Sequence, residues 1–158
     1  KSLVEKNINV DLSNCILIHG GGWKKLVSES IGTTKFRELL YQTCGIKSVH
    51  DYYGMVEQTG SIYIECSHGY LHSSIYSDVI IRNANDFSEV PNGKKGIIQT
   101  LSILPTSYPG HSLLTEDEGI IEGEDTCKCG RLGKYFKVIG RLKNAELRGC
   151  SDVYASEN

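Results

Sequence analysis

One turn constrains this chain more than any other stretch: Tyr53-Gly-Met-Val-Glu-Gln-Thr-Gly60, which runs into the strand-like segment 61–66. The pattern predicts the end of one strand, a tight glycine turn that presents a carboxylate, and the start of the next strand. Tyr53 can stack on a base, Gly54 lets the backbone approach a ligand, and Glu57 can hold Mg²⁺ near phosphate. The turn is a candidate nucleotide site, but an interior tyrosine and a solvated acid would also fit it.

The segment before this turn predicts a strand, a helix and a second strand. Residues 15–19 are a short apolar run that ends in the three glycines 20–22. Residues 33–44 predict an amphipathic helix capped by the two threonines that open it and stopped by Gly45. Residues 46–50 return as a strand, so a parallel crossover is expected. The glycines permit close backbone approach, but the Walker pattern is missing.

Downstream of residue 66 the chain is predicted to be mostly β. Segments 77–82, 95–101 and 135–139 have strand patterns, whereas 104–111 is too rich in proline for a central strand. Residues after 112 lead into an acidic loop that is expected to reach Cys127.

Composition bounds the class of protein. A chain of 158 residues with 39% hydrophobic content predicts one globular domain over residues 1–158. A net charge of −2 gives no reason to expect nucleic acid or an anionic membrane as partner. No stretch has the apolar length of a membrane span, and no leader of the secretory type is visible, so a cytoplasmic location is expected. The missing initiator Met suggests a piece of a longer protein.

Six cysteines without a secretory signal favour metal or thiol chemistry over a disulfide framework. Cys127-Lys-Cys129 has the form of a metal knuckle, and a tetrahedral Zn²⁺ site needs two further ligands. The best candidates for these two ligands are Cys66, His68 and His72. The alternative is free cysteines in loops.

The turn at Tyr53 resembles the tyrosine, glycine and glutamate signature of adenylate-forming enzymes, which include acyl-CoA synthetases, peptide synthetase adenylation domains and luciferases. Three further segments fit that pattern in the same order: the glycines 20–22, Thr115-Glu116-Asp117 and Gly140-Arg141. Within the superfamily the chain is most similar to acyl-protein synthetases, the fatty-acid-activating ligase component of the bacterial bioluminescence reductase complex. The segments that carry this resemblance are 19–25, 53–60, 107–117 and 144–150, and it covers nearly the whole chain.

The resemblance implies both a fold and an activity. The implied fold is mixed α/β: a β-rich, partly barrel-like fragment of the large N-terminal domain, corresponding to the C-terminal part of an adenylation domain. The implied activity is ATP-dependent activation of a long-chain fatty acid as acyl-AMP, followed by transfer of the acyl group to a protein cysteine. An acyl reductase or carrier protein is the implied partner, and the fragment alone is expected to be inactive or nearly so.

The resemblance also assigns roles to residues. It places adenine between the glycine turn and Tyr53 with Gly54, Mg²⁺ at Glu57, and ribose or phosphate at Asp117 and Arg141. The members of that glycine turn are Gly20, Gly21 and Gly22. Cys150 is the implied acyl acceptor, since a thiolate attacks a mixed anhydride readily.

Phenylacetate-CoA ligase-like relatives carry a similar Cys and His pair and a later Cys pair. Their pattern implies structural Zn²⁺ held by four protein ligands, which are Cys66, His72, Cys127 and Cys129. His68 is the substitute for His72. The sequence departs from the superfamily at Glu116, where Gly is usual, and at Asn144, where a hinge Asp is usual. Two other functions remain open: a CoA ligase with free CoA as acceptor, and a zinc-stapled, non-catalytic interaction module.

Overall fold

The computed structural model describes residues 5–6, 10–21 and 30–142. The helix and strands of these residues are β1 Ile16–Gly20, α1 Thr33–Cys44, β2 Ser48–Tyr53, β3 Tyr63–Glu65, β4 Leu71–His72, β5 Ser77–Arg82, β6 Lys95–Ser102, β7 Ser112–Glu124 and β8 Lys134–Arg141, with one turn of 3₁₀ helix at Val56–Gln58. Among these elements, no helix is long and apolar enough to cross a membrane.

The eight strands form one sheet in the order β1-β2-β3-β4-β8-β7-β6-β5. Strands β1 and β2 are parallel and are joined through α1, which confirms the predicted crossover. Each of the other neighbouring strands is antiparallel to its partner. The mixed, strand-rich architecture predicted for the chain is confirmed.

Helix α1 covers the parallel strands with its apolar face. Phe36 and Leu40 pack with Ile46 and Val49, and this forms a small core between α1, β1 and β2. The helix stops at Gly45, which adopts φ 72°, a conformation that glycine reaches without a steric cost. The predicted threonine cap is wrong: Gly32 occupies the N-cap, and no side chain caps the helix there.

A second core fills the curl of strands β3 to β8. Its buried side chains are Tyr63, Leu71, Val79, Ile81, Ile98, Ile121 and Phe136. Strands β3 and β5 are the first and last of this six-strand group, yet the Tyr63 hydroxyl donates to the Asp78 carbonyl at 3.2 Å. The sheet therefore bends round until its two ends nearly meet, as the barrel-like expectation requires.

Strand β7 replaces the predicted acidic loop. It runs for 13 residues and pairs with β6 on one side and β8 on the other. Its acids Glu116, Glu122 and Glu124 are exposed, whereas Ile121 is buried. The carboxylates thus occupy the solvent side of a half-buried strand, and an acid-rich sequence is compatible with strand structure there.

Candidate nucleotide and metal sites

Tyr53 lies at the end of β2 and reaches across the sheet to β7. Its hydroxyl donates to Oδ2 of Asp117 at 2.8 Å. Its ring packs against Tyr63 and lies edge-on to Phe136, with centroids 6.1 and 6.3 Å apart. Burial, and then the negative charge of Asp117, raise the pKa of Tyr53 well above its usual value, so the phenol stays protonated. Tyr53 is consequently a fixed donor.

Asp117 is held from three sides. It pairs across the β7–β8 ladder with Arg141, whose Nε lies 3.5 Å from Oδ1. The Asp117 amide donates to Oγ1 of Thr115 at 3.1 Å, and the Thr115 hydroxyl donates to the Ile98 carbonyl at 2.8 Å. Each carboxylate oxygen therefore has one fixed partner and further acceptor capacity, which suits the binding of hydroxyl groups.

Arg141 also contacts the exposed carboxylate of Glu116, with Nη2 3.3 Å from Oε2. The structure thus brings together three of the residues that the family resemblance assigned to one nucleotide: Tyr53, Asp117 and Arg141. Glu116, which stands where the superfamily has glycine, contributes a second acid beside the guanidinium.

The glycine turn follows β1 and meets a different aromatic residue. Gly20 pairs in register with Tyr52, and a Cβ at position 20 would lie 2.5 Å from Cε1 of that ring. The Tyr52 ring covers Gly20, so a side chain at position 20 would have to displace that ring, and Gly21 follows with φ 78°. The sequence analysis missed Tyr52, since the contact follows from the parallel register of β1 and β2.

Glu57 and Gly54 lie in the turn that follows Tyr53. Glu57 is exposed on the 3₁₀ turn Val56–Gln58, and it forms no ion pair with the residues that the structure describes. Gly54 is close to the Ser61 carbonyl, from which a Cβ would be 3.3 Å away. The predicted site residues Gly22 and Cys150 lie outside the described residues.

A second site lies where the β3–β4 and β7–β8 turns meet. The ligand atoms of four residues lie within 4.8 Å of one another, and these residues are Cys66, His72, Cys127 and Cys129. Cys66 Sγ is 3.9 Å from Cys127 Sγ, and Cys129 Sγ is 3.4 Å from His72 Nε2. The structure therefore brings together the four side chains predicted as ligands, and His68 is not part of this group.

The electrostatics of His72 and Cys129 suit a metal, whereas those of Cys127 favour the neutral thiol. Burial, and then the positive charge of Arg131, lower the pKa of His72 and keep the imidazole neutral, which is its ligand form. Burial raises the pKa of Cys129, but hydrogen bonding, first from the Arg131 amide, outweighs it and lowers the pKa overall. Burial raises the pKa of Cys127. Three thiols and one imidazole could bind a metal ion, and soft sulfur donors favour metals such as zinc.

Comparison with solved structures identifies the fold. A 2-hydroxyisobutyryl-CoA ligase in complex with 2-HIB-AMP and CoA superposes with a TM-score of 0.62 at 19% identity, over 82% of this chain and 28% of that chain. A long-chain-fatty-acid-CoA ligase from Archaeoglobus fulgidus superposes with a TM-score of 0.57 at 17% identity, over 89% and 31%. The fold is that of part of the large domain of an adenylate-forming enzyme.

The family match is more specific than the fold. Residues 1–157 match the family described as acyl-protein synthetase, LuxE, and the chain belongs to this family. The chain is also 26% identical over 140 residues to a long-chain-fatty-acid–luciferin-component ligase of Vibrio harveyi. That match covers 85% of this chain and 35% of the relative, so the chain spans about a third of the relative's length.

Proposed function

We propose that the complete polypeptide containing this chain activates a long-chain fatty acid with ATP as acyl-AMP and transfers the acyl group to a protein cysteine. In this proposal residues 1–158 are the C-terminal part of the adenylation domain. The observation that carries it is the Asp117 carboxylate held between the Tyr53 hydroxyl and Arg141 in a member of the acyl-protein synthetase family.

The residues suggest how a nucleotide would be held. Asp117 can accept hydrogen bonds from both ribose hydroxyls, because its two oxygens keep free acceptor positions. Arg141 would contact ribose or phosphate, and Tyr53 would face adenine opposite the glycine turn. When bound, Mg²⁺ would neutralise phosphate charge, and Glu57 would hold it.

The proposed chemistry has two balanced steps. The fatty acid carboxylate attacks the α-phosphorus of ATP, and pyrophosphate leaves with the electrons of the broken bond. A thiolate then attacks the carbonyl carbon of acyl-AMP, a thioester forms, and AMP leaves. Cys150 is the proposed acceptor, and the positive charge of neighbouring Arg148 would favour its thiolate. An acyl reductase or a carrier protein would receive the acyl group next.

Free CoA is the competing acceptor, since CoA ligases share the fold. Intact-mass measurement on the complete polypeptide with ATP, Mg²⁺ and a long-chain fatty acid, in the absence and in the presence of free CoA, separates the two acceptors. We expect a fatty-acyl mass increase that hydroxylamine removes and that a Cys150→Ser variant lacks. Cys15→Ser serves as the control. An adduct that persists in Cys150→Ser would exclude this acceptor, and acyl-CoA formation without an adduct would favour the ligase.

We also propose that the Cys and His cluster holds structural Zn²⁺. All four positions would be filled by protein, so the metal would fasten the β3–β4 and β7–β8 turns and leave no position for water. Protein purified without added zinc should contain about one zinc per chain. Cys129→Ser should lose the metal and unfold at lower temperature, whereas Cys44→Ser, at a buried thiol outside the cluster, should keep the metal.

The cluster also bears on the third possibility, a zinc-stapled module without catalysis. Zinc content alone would fit both an enzyme and a module. Binding of an acyl-adenylate analogue by the complete polypeptide separates the enzyme from the module, because the module hypothesis requires that no adenylate binds.

A further inference from the structure

The side chain of Gln58 is buried beneath the turn of residues 53–60. It is 1% exposed, and its Nε2 donates to the Gly110 carbonyl at 2.9 Å and to the Thr100 carbonyl at 3.4 Å. Thr100 belongs to β6, and Gly110 lies just before β7. One amide therefore joins the turn after β2 to two segments that lie more than forty residues further along the chain.

The loop of residues 103–111, which connects β6 to β7, closes on the same turn by two further contacts. The Tyr108 hydroxyl accepts a hydrogen bond from the Thr59 amide at 3.0 Å. A Cβ at Gly60 would lie 3.2 Å from Cδ1 of Leu104, which shows how closely the loop packs. The hydrogen bonds of the Gln58 side chain and the contacts of Tyr108 and Leu104 thus hold residues 58–60 in place.

Glu57 depends on this support. It lies in a single 3₁₀ turn, whose backbone bonds are Gln58 N–H to Met55 O and Ser61 N–H to Gln58 O, both at 3.2 Å. One such turn is too short to be rigid alone. Gln58 is the adjacent residue and points into the protein while Glu57 points to solvent. Its anchor at Gly110 also lies on the chain that continues into β7 and Asp117.

We propose that Gln58 is a positioning residue: its bonds to the carbonyls of Gly110 and Thr100 fix Glu57, the Mg²⁺ ligand of the proposed function, relative to the strand that carries Asp117. The inference rests on that proposed function. Under this inference, Gln58 and Tyr108 support Mg²⁺ binding by Glu57, although neither would contact the nucleotide.

The test compares Gln58→Met with wild type in the complete polypeptide. Methionine keeps the length and apolar character of the buried stem but removes both donors. Gln99→Met is the matched control, because Gln99, a glutamine of β6, also forms side-chain hydrogen bonds, to Arg82 and Ser112, but does not contact the 53–60 turn by them. Fatty-acid-dependent exchange of pyrophosphate into ATP is measured as a function of Mg²⁺ concentration, at temperatures well below the unfolding of each variant.

We expect Gln58→Met to raise the half-saturating Mg²⁺ concentration by about tenfold and to lower kcat, with the KM for ATP changed by less than about threefold. Gln99→Met should match wild type. Tyr108→Phe removes only the bond to the Thr59 amide and should shift the Mg²⁺ midpoint in the same direction by a smaller factor, and it replaces Gln58→Met if that variant does not fold.

An unchanged Mg²⁺ midpoint in Gln58→Met, even with a lowered melting temperature, would overturn the inference, because a purely structural role moves only stability. A wild-type protein without exchange would refute the proposed function instead. In that case amide hydrogen exchange decides about the anchor: faster exchange at residues 57–61 in Gln58→Met but not in Gln99→Met supports it, and equal exchange rejects it.

Discussion

At the scale of single residues, Asp117 decides whether the nucleotide site works. Asp117→Asn keeps the shape and can still accept from Tyr53, but it loses the charge that faces Arg141 and offers ribose only one acceptor oxygen. We expect kcat/KM for ATP in pyrophosphate exchange to fall by about a hundredfold in the complete polypeptide. Glu124→Gln, an exposed acid on the same strand, is the control. An unchanged kcat/KM in Asp117→Asn would remove this carboxylate from the site.

The residue types of both sites could be predicted from the sequence, but their contacts could not. Cysteine and histidine indicate metal chemistry by residue type, but residue types alone left His68 and His72 both open as ligands. The family resemblance implied His72, and the structure places His72 beside the three cysteines. Tyr53 and Asp117 are 64 residues apart in the sequence, and no local sequence pattern indicates that their side chains form a hydrogen bond. The contact of Tyr52 with Gly20 escaped prediction because strand register is a tertiary property.

At the scale of elements, the β5–β6 pairing leaves no room for a side chain at Gly96. A Cβ there would lie 2.3 Å from the Arg82 carbonyl oxygen, and a backbone atom cannot move aside cheaply. We expect Gly96→Ala to lower the free energy of unfolding by about 3 kcal/mol, as overpacking does, measured by urea denaturation. Gly32→Ala is the comparison, since a Cβ there meets nothing within 4 Å and only the less favourable N-cap residue should cost about 1 kcal/mol or less. Equal stability of the two variants would contradict the close approach.

Strand β7 shows why element prediction failed at one place and succeeded elsewhere. The strands at 77–82 and 95–101 are rich in β-branched residues, and local propensity agrees with their burial. Residues 116–124 carry four glutamates and two glycines across two bulges, so local propensity favours a loop. Pairing with β6 and β8 on both sides overrides that preference, and the sequence pattern does not reveal those partners.

At the scale of the whole molecule, the core of the curled sheet should make stability fall at high pH. Tyr63 is 1% exposed, and burial, with a smaller effect of the Asp78 charge, raises its pKa from 10.0 to about 12. Tyr53 packs on the same core, and its pKa is also raised. A raised pKa in the folded state favours the neutral phenol, so this stabilisation is complete below pH 10 and is lost as the pH rises through about 12.

The free energy of unfolding, measured against pH by urea denaturation, should therefore decline steeply between pH 10 and about 12. Tyr63→Phe keeps the ring but loses the bond to the Asp78 carbonyl, so it should be less stable at neutral pH by about 1 kcal/mol. Its stability should also fall less steeply in the alkaline range, because one buried group that must ionise is gone. Tyr41→Phe, at a ring that is 56% exposed, should follow wild type. If Tyr63→Phe declined in parallel with wild type, ionisation of this phenol would not limit the alkaline stability of the core, and the loss would have to come from other groups, Tyr53 included.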